Sequence, residues 1–189
     1  MLCVLLLALS GCKERKQRER PERAPGAEGV TKREYQLFRT MGTPIEFSFP
    51  PDWHRVESGH PYDLQCVAAN ERMVTNVFVY DRAELATTST PANVLSRQVE
   101  DLKSRRSNFA ILNDPENFRD EDRSFTTVTY TGDTEGGSNC FRFTLIEFDA
   151  LQSHFAIVLQ TALPEDWSES ETVLDRIARS AASRADVTE

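Results

Sequence analysis

Val77-Phe78-Val79-Tyr80 sets four large apolar or aromatic side chains in succession within a strand-like run, Thr75 to Asp81. Successive strand residues point to opposite faces, so this run is apolar on both and needs cover on both sides of its sheet. Two segments have the pattern to supply it. Thr90 reads as an N-cap with Pro91 at the first helical position; Leu95, Val99 and Leu102 then recur at i, i+4 and i+7 while Arg97, Glu100, Asp101 and Lys103 face water, and the helix stops near Ser107-Asn108. A last helix, from about Glu165 to Ala182, carries Val173, Leu174, Ile177, Ala178 and Ala181 on one stripe.

Turn signals divide the rest into strands. Tyr35 to Thr40 is stopped by Met41-Gly42-Thr43-Pro44, and Ile45, Phe47 and Phe49 share one face of a strand that Pro50-Pro51 ends. Leu64 to Ala69 pairs with Thr75 to Asp81 across Asn70-Glu71-Arg72. Phe109 to Leu112 reads as a short strand and Phe125 to Thr131 as another; Gly132 to Ser138 reads as a loop leading into Asn139 to Phe148, and Ser153 to Leu163 returns across a tight Asp149-Ala150 turn. Between them, Asp114, Glu116, Asp120, Glu121 and Asp122 read as solvated charge in one connection, without the glycine and alternating oxygens of a calcium loop. The expected architecture is α+β, an antiparallel sheet with helices on its faces.

At 189 residues, 39% hydrophobic and 28% charged, the chain fits one ordinary domain with a modest remainder. Its sole strongly apolar run, Leu2 to Leu9, is far below the roughly 20 residues a membrane-spanning helix needs. That run ends in Leu9-Ser10-Gly11-Cys12, which resembles a bacterial lipobox. The resemblance implies a diacylglyceryl group on the Cys12 sulfur, removal of residues 1–11 as a signal peptide, and a mature chain of 178 residues anchored in a membrane by its acyl chains. A core helix with Cys12 as a buried thiol is the competing reading, and the charged sequence that follows argues against it. No basic residue opens the segment after Met1, as expected if the natural start lies further upstream. Lys13, in place of Asp, implies sorting to the outer membrane by likeness to Gram-negative lipoproteins.

Residues 12–34 then form the lipidated cysteine and a charged tether: Lys13 to Glu34 contains no aromatic residue and Val30 as its one large aliphatic. Too little apolar area is available to offset the entropy of ordering it. It holds eight basic and five acidic residues, net +3, which leaves 14 basic against 25 acidic, net −11, for the domain expected over 35–185 and the last few residues. The basic stretch either lies against anionic headgroups or simply keeps a linker soluble. An acidic domain disfavours nucleic acid as a partner.

Of the four cysteines, Cys3 leaves with the signal and Cys12 takes lipid, so Cys66 and Cys140 remain. Both sit in strand-like runs, and two readings stay open: a disulfide permitted by an oxidising compartment, or two buried free thiols. His54, His60 and His154 are the only histidines, and no H-E-x-x-H, C-x-x-C or H-x-H spacing converges ligands on a metal. The Glu57-Ser58-Gly59 turn would allow His54 and His60 to approach each other, with Asp52 or Asp63 as added oxygen ligands, and an ordinary solvated surface pair is the better account. No G-x-S-x-G elbow, phosphate loop or dinucleotide fingerprint appears, and a Cys140–His154 dyad lacks an orienting third group. No catalytic residue and no cofactor is therefore expected.

The order strand, Phe47-Ser48-Phe49-Pro50-Pro51-Asp52-Trp53, strands, helix, Asn108-Phe109-Ala110-Ile111-Leu112, three strands, terminal helix resembles the PsbP-like superfamily over roughly Tyr35 to Ala182. That group includes DcrB-type bacterial lipoproteins and the nuclear Ran-binding factor Mog. The resemblance implies an α/β/α sandwich around a twisted antiparallel sheet flanked by two main helices, and members that act mostly by binding proteins. Trp53 is expected as a core or lid aromatic. The resulting expectation is a non-catalytic envelope lipoprotein, held at the membrane through Cys12 and facing the periplasm, whose sheet face or helix groove binds another envelope protein. Two alternatives accompany it: a small-molecule or metal-binding, less readily hydrolytic, protein using a cleft near Trp53 and His54/His60, and an adaptor in protein secretion.

Overall fold

The computed structural model describes residues 35–57, 62–120 and 122–184. In chain order the strands are β1 (Gln36–Arg39), β2 (Ile45–Phe49), β3 (Trp53–Arg55), β4 (Leu64–Ala68) and β5 (Met73–Asp81). Helix α1 (Pro91–Ser104) follows, then β6 (Ser107–Arg119), β7 (Arg123–Thr134), β8 (Gly137–Phe148), β9 (His154–Ala162), helix α2 (Pro164–Arg179) and the short β10 (Ala182–Ser183). Seven strands make one antiparallel sheet in the order β3-β4-β5-β9-β8-β7-β6, and β1-β2-β10 make a second, smaller one. Helix α1 covers one face of the large sheet; α2 and the small sheet cover the other.

Strand parity decides which residues go where. On the α1 face, Val128, Phe143, Leu145, Phe155 and Ile157 pack against Val94, Leu95 and Val99 of the helix. On the other face, Val77, Phe125, Ile146, Ala156 and Val158 meet Trp167, Leu174 and Ile177 of α2 together with Ile45, Phe47 and Phe49 of β2. Leu174 and Ile177 are fully buried, each stabilising the domain by roughly 2 kcal/mol. The doubly covered central strand demanded by Val77 to Tyr80 is β5, paired with β4 on one side and β9 on the other.

Both helices begin where the sequence marks them. The Thr90 hydroxyl accepts the Asn93 amide at 3.2 Å and Pro91 opens α1. Helix α2 has no side-chain cap; Glu165 and Asp166 in its first turn and Arg176 and Arg179 in its last complement its dipole. Arg72, on the β4–β5 turn, ties both first-turn carboxylates at 2.8 and 2.7 Å.

Beneath α2 runs a row of polar side chains in one register, Thr75–Gln160–Arg142–Thr129. Gln160 is fully buried and donates to the Leu174 carbonyl at 2.8 Å. Arg142, 6% exposed, reaches Asp175 at 3.1 Å, and the same carboxylate holds Arg179 at 2.6 Å.

Several expectations are corrected. The acidic connection is largely strand: β6 runs through Asp114 and Glu116 to Arg119, leaving Asp120 and Asp122 between it and β7, with Glu121 outside the described residues. Strand β6 is an edge, paired with β7 alone, and register shifts between Ser107 and Ala110, Ile111 and Asn113, and Asn113 and Glu116 bend it. Asn108 enters the first of these with φ 50°, left-handed backbone that asparagine tolerates. The glycine-rich loop shrinks to a tight hairpin between Thr134 and Gly137, the Asp149-Ala150 turn lengthens to reach His154, and α2 ends at Arg179 so that Ala182 can join β10.

The allowed Cys66–Cys140 disulfide is not made: both are free and buried. Cys66 lies on β4 and Cys140 on β8, with β5 and β9 between them, a separation of about 14 Å at roughly 4.8 Å per strand step. A disulfide needs Cα atoms within about 7 Å. Residues 1–11, Cys12 and the tether over 12–34 lie outside the described residues, as does His60.

Candidate functional site

Helix α1 does not cover its face of the sheet completely. Between its C-terminal half and strands β5, β9 and β8 lies a groove of about 420 Å³. Its walls and floor are Phe78, Phe141, Phe143, Leu102 and Leu159, with Tyr62 packed edge-on against Phe78 at 5.1 Å between ring centres. Strand parity builds this site: Phe78, Leu159 and the β8 aromatics Phe141 and Phe143 occupy alternate positions that face α1, which ends at Ser104.

 

Two carboxamides, Asn76 and Gln98, line the groove together with Thr161, and charged side chains of α1 and the residues after it line its mouth. Asn76, 7% exposed, accepts a hydrogen bond from the Gln65 amide at 2.7 Å, and Gln98 donates to the Tyr80 hydroxyl. The Gln98 Oε1 atom is buried with no hydrogen-bond partner. At the mouth Arg105 pairs with Asp101, one helical turn back, and Arg106 stacks 5.7 Å from the centre of the Phe141 ring while donating to the Arg105 carbonyl at 2.9 Å. Burial pushes the Tyr80 hydroxyl above its ordinary value, with the Gln98 contact opposing that shift. Such an arrangement can seat an apolar group and hydrogen-bond to polar atoms beside it; carboxamides exchange no protons near neutral pH.

The residues singled out from the sequence lie elsewhere. Trp53 is 4% exposed and packs on Phe49 with ring centres 5.6 Å apart, so it belongs to the core rather than to the wall of a cleft. His54, its neighbour on β3, is exposed opposite Val67. Among the described residues no three histidine, cysteine or acidic side chains gather where they could hold a metal ion. A Cys140–His154 dyad is excluded by register: Cys140 faces Ala162, eight residues along β9 from His154, which is about 27 Å at roughly 3.4 Å per residue. Burial pushes the Cys66 thiol up to about 12, against a smaller opposing pull from Arg55, and raises Cys140 as well, so neither is poised as a thiolate.

Sequence reasoning missed the groove because its residues come from five separate segments, each of which reads as ordinary core or turn. The available signal was Gln98, a carboxamide one residue before Val99 on the buried edge of an otherwise amphipathic helix.

The two-helix, twisted antiparallel arrangement is the PsbP-like fold. It is shared with the solution structure of the cyanobacterial PsbP protein (CyanoP) of Synechocystis sp. PCC 6803, at 15% identity and a TM-score of 0.59, covering 85% of this chain and 98% of that one. A crystal structure of LpqN, involved in cell envelope biogenesis of Mycobacterium tuberculosis, matches at 15% identity and a TM-score of 0.55, covering 78% and 90%. No family model matches the sequence, and no curated protein does.

Proposed function

We propose that this protein is a non-catalytic lipoprotein of the bacterial envelope, anchored through Cys12 to the outer membrane, that binds another envelope protein through the groove between α1 and the sheet. The observation that carries the reading is the groove itself: an apolar floor with the carboxamides of Asn76 and Gln98 beside it, in which Asp101 and Arg105 neutralise each other at the rim. A catalytic site needs a group that gives up or takes a proton, or a nucleophile, beside the bound substrate. The groove supplies instead what holds a side chain and its neighbouring amides. Leu9-Ser10-Gly11-Cys12 supports the anchor, and the envelope role of LpqN, a protein of the same fold, supports the compartment.

The experiment is site-specific photo-crosslinking in the native envelope, with the reactive residue at Thr161 in the groove and, as control, at the exposed Gln152. One protein adduct at high yield from position 161, absent from position 152, is expected. Equal adducts at both, or none at 161, would sink the reading. The anchor is checked separately by palmitate incorporation, which Cys12→Ser should abolish.

A further inference from the structure

The outer face of the small sheet and the turn after β1 carry two of the four large apolar side chains that are exposed among the described residues. Leu37 and Met41 are 50% and 69% exposed, and they flank Arg39 along one side of β1 and the turn that follows it. Arg55 reaches across to donate to the Arg39 carbonyl at 3.2 Å. Arg184 is bound through its main-chain amide to the Pro44 carbonyl at 2.7 Å, which places a third arginine beside the same turn. Glu46 is the acidic member of the patch, 3.7 Å from Arg39. Asp63, beside the turn, has its carboxylate turned inward to the Val79 amide. Two exposed apolar side chains among arginines, on a domain that carries net −11 with its C-terminal residues, is a local reversal of charge.

We infer that this face rests on an anionic lipid surface, with Leu37 and Met41 dipping among the headgroups and Arg39, Arg55 and Arg184 meeting their phosphates. The inference rests on the reading that Cys12 carries lipid, which leaves 22 residues between the anchor and Tyr35, where the domain begins just before β1. Extended, that stretch could hold the domain up to roughly 75 Å away. A tether of that length also keeps the patch at high local concentration beside the membrane, so a weak surface affinity is enough to dock it. Charge complementarity selects the occupant: basic residues near an anionic leaflet gain attraction that falls off within a Debye length, while acidic surface further away is screened. The small sheet and the α1 groove lie on opposite sides of the large sheet, so docking leaves the groove open to the periplasm.

The test uses the chain from residue 12 onward with Cys12→Ser, which removes the lipid and makes the result independent of whether acylation occurs. An environment-sensitive fluorophore is placed on cysteine at Met41→Cys or, as control, at Ile111→Cys, which is 52% exposed on β6. The two native thiols of the domain are buried and leave the label site-specific. With vesicles of phosphatidylglycerol and phosphatidylethanolamine, the label at 41 should shift to the blue while that at 111 stays as in water. Vesicles of phosphatidylcholine alone should shift neither. Arg39→Gln should lower the partition about fivefold, the loss of one basic contact. Binding through the tether alone, seen as co-sedimentation with no blue shift at 41, overturns the inference, as does an equal shift at both positions. Neither result touches the palmitate assay, which reads the anchor by itself.

Discussion

Asp175 answers two arginines with one carboxylate, and the two are not equivalent. Arg179 is half exposed on the same helix, whereas Arg142 rises from the sheet with its Nε and one terminal nitrogen buried and without partners. Breaking such a pair from the acid side leaves a buried cation, while replacing the cation by an apolar side chain of similar length removes the need for the pair. Asp175→Ala is therefore expected to cost about 3 kcal/mol, read as a fall in the urea midpoint at constant slope, and Arg142→Met about 1 kcal/mol or less. Equal losses would mean that the ion pair itself carries the stability. Asp63 makes the opposite kind of case. Burial raises its carboxyl above the usual value, more than the Val79 amide lowers it, so the folded state binds this proton more tightly than the unfolded chain does. Its contribution to stability is then present in acid and is lost as pH rises through the raised value. Asp63→Asn keeps an acceptor for the Val79 amide and is neutral at all pH values. It should make the protein more stable relative to the parent at pH 7 than at pH 3, measured as the difference in urea midpoint at each pH.

Elements whose faces differ in environment were legible; elements whose neighbours impose little were not. The β2 strand, with Ile45, Phe47 and Phe49 inward, and α1, with Thr90 and Pro91 at its start, carry their position in their spacing. Most of β6 carries nothing of the kind: it is paired on one side, exposed over most of its length, interrupted by Pro115, and bent by successive bulges that change which face each side chain meets. Alternation fails as a signal once a bulge resets it. The two-residue β10 and three-residue β3 are too short for any period to show. Asn108 is where β6 first departs from regularity, and its φ of 50° makes a definite demand. Asn108→Val should cost about 1–2 kcal/mol more than Asn108→Gly, because a β-branched residue resists left-handed backbone while glycine accepts it. Both variants lose the contact between the Asn108 amide and Asp133 at 2.6 Å, so the difference in melting temperature isolates the backbone term. Equal melting temperatures would place the strain elsewhere.

At the scale of the molecule, one four-residue run required two covering layers, and the layers are there: α1 on one face, α2 with the small sheet on the other. The candidate site was not legible because a groove is a property of incomplete coverage, set by where a helix ends relative to a sheet assembled from distant segments. The same layering separates the arginine-bearing face of the small sheet from the groove, so the lipid docking and the protein binding proposed above need not compete. Cys66 and Cys140 complete the picture from inside. Held on strands that never bring them together, with their protons retained by burial, they ask for no oxidant or isomerase during maturation. The described domain can thus fold in a reducing or an oxidising compartment and reach the same covalent form at these two positions.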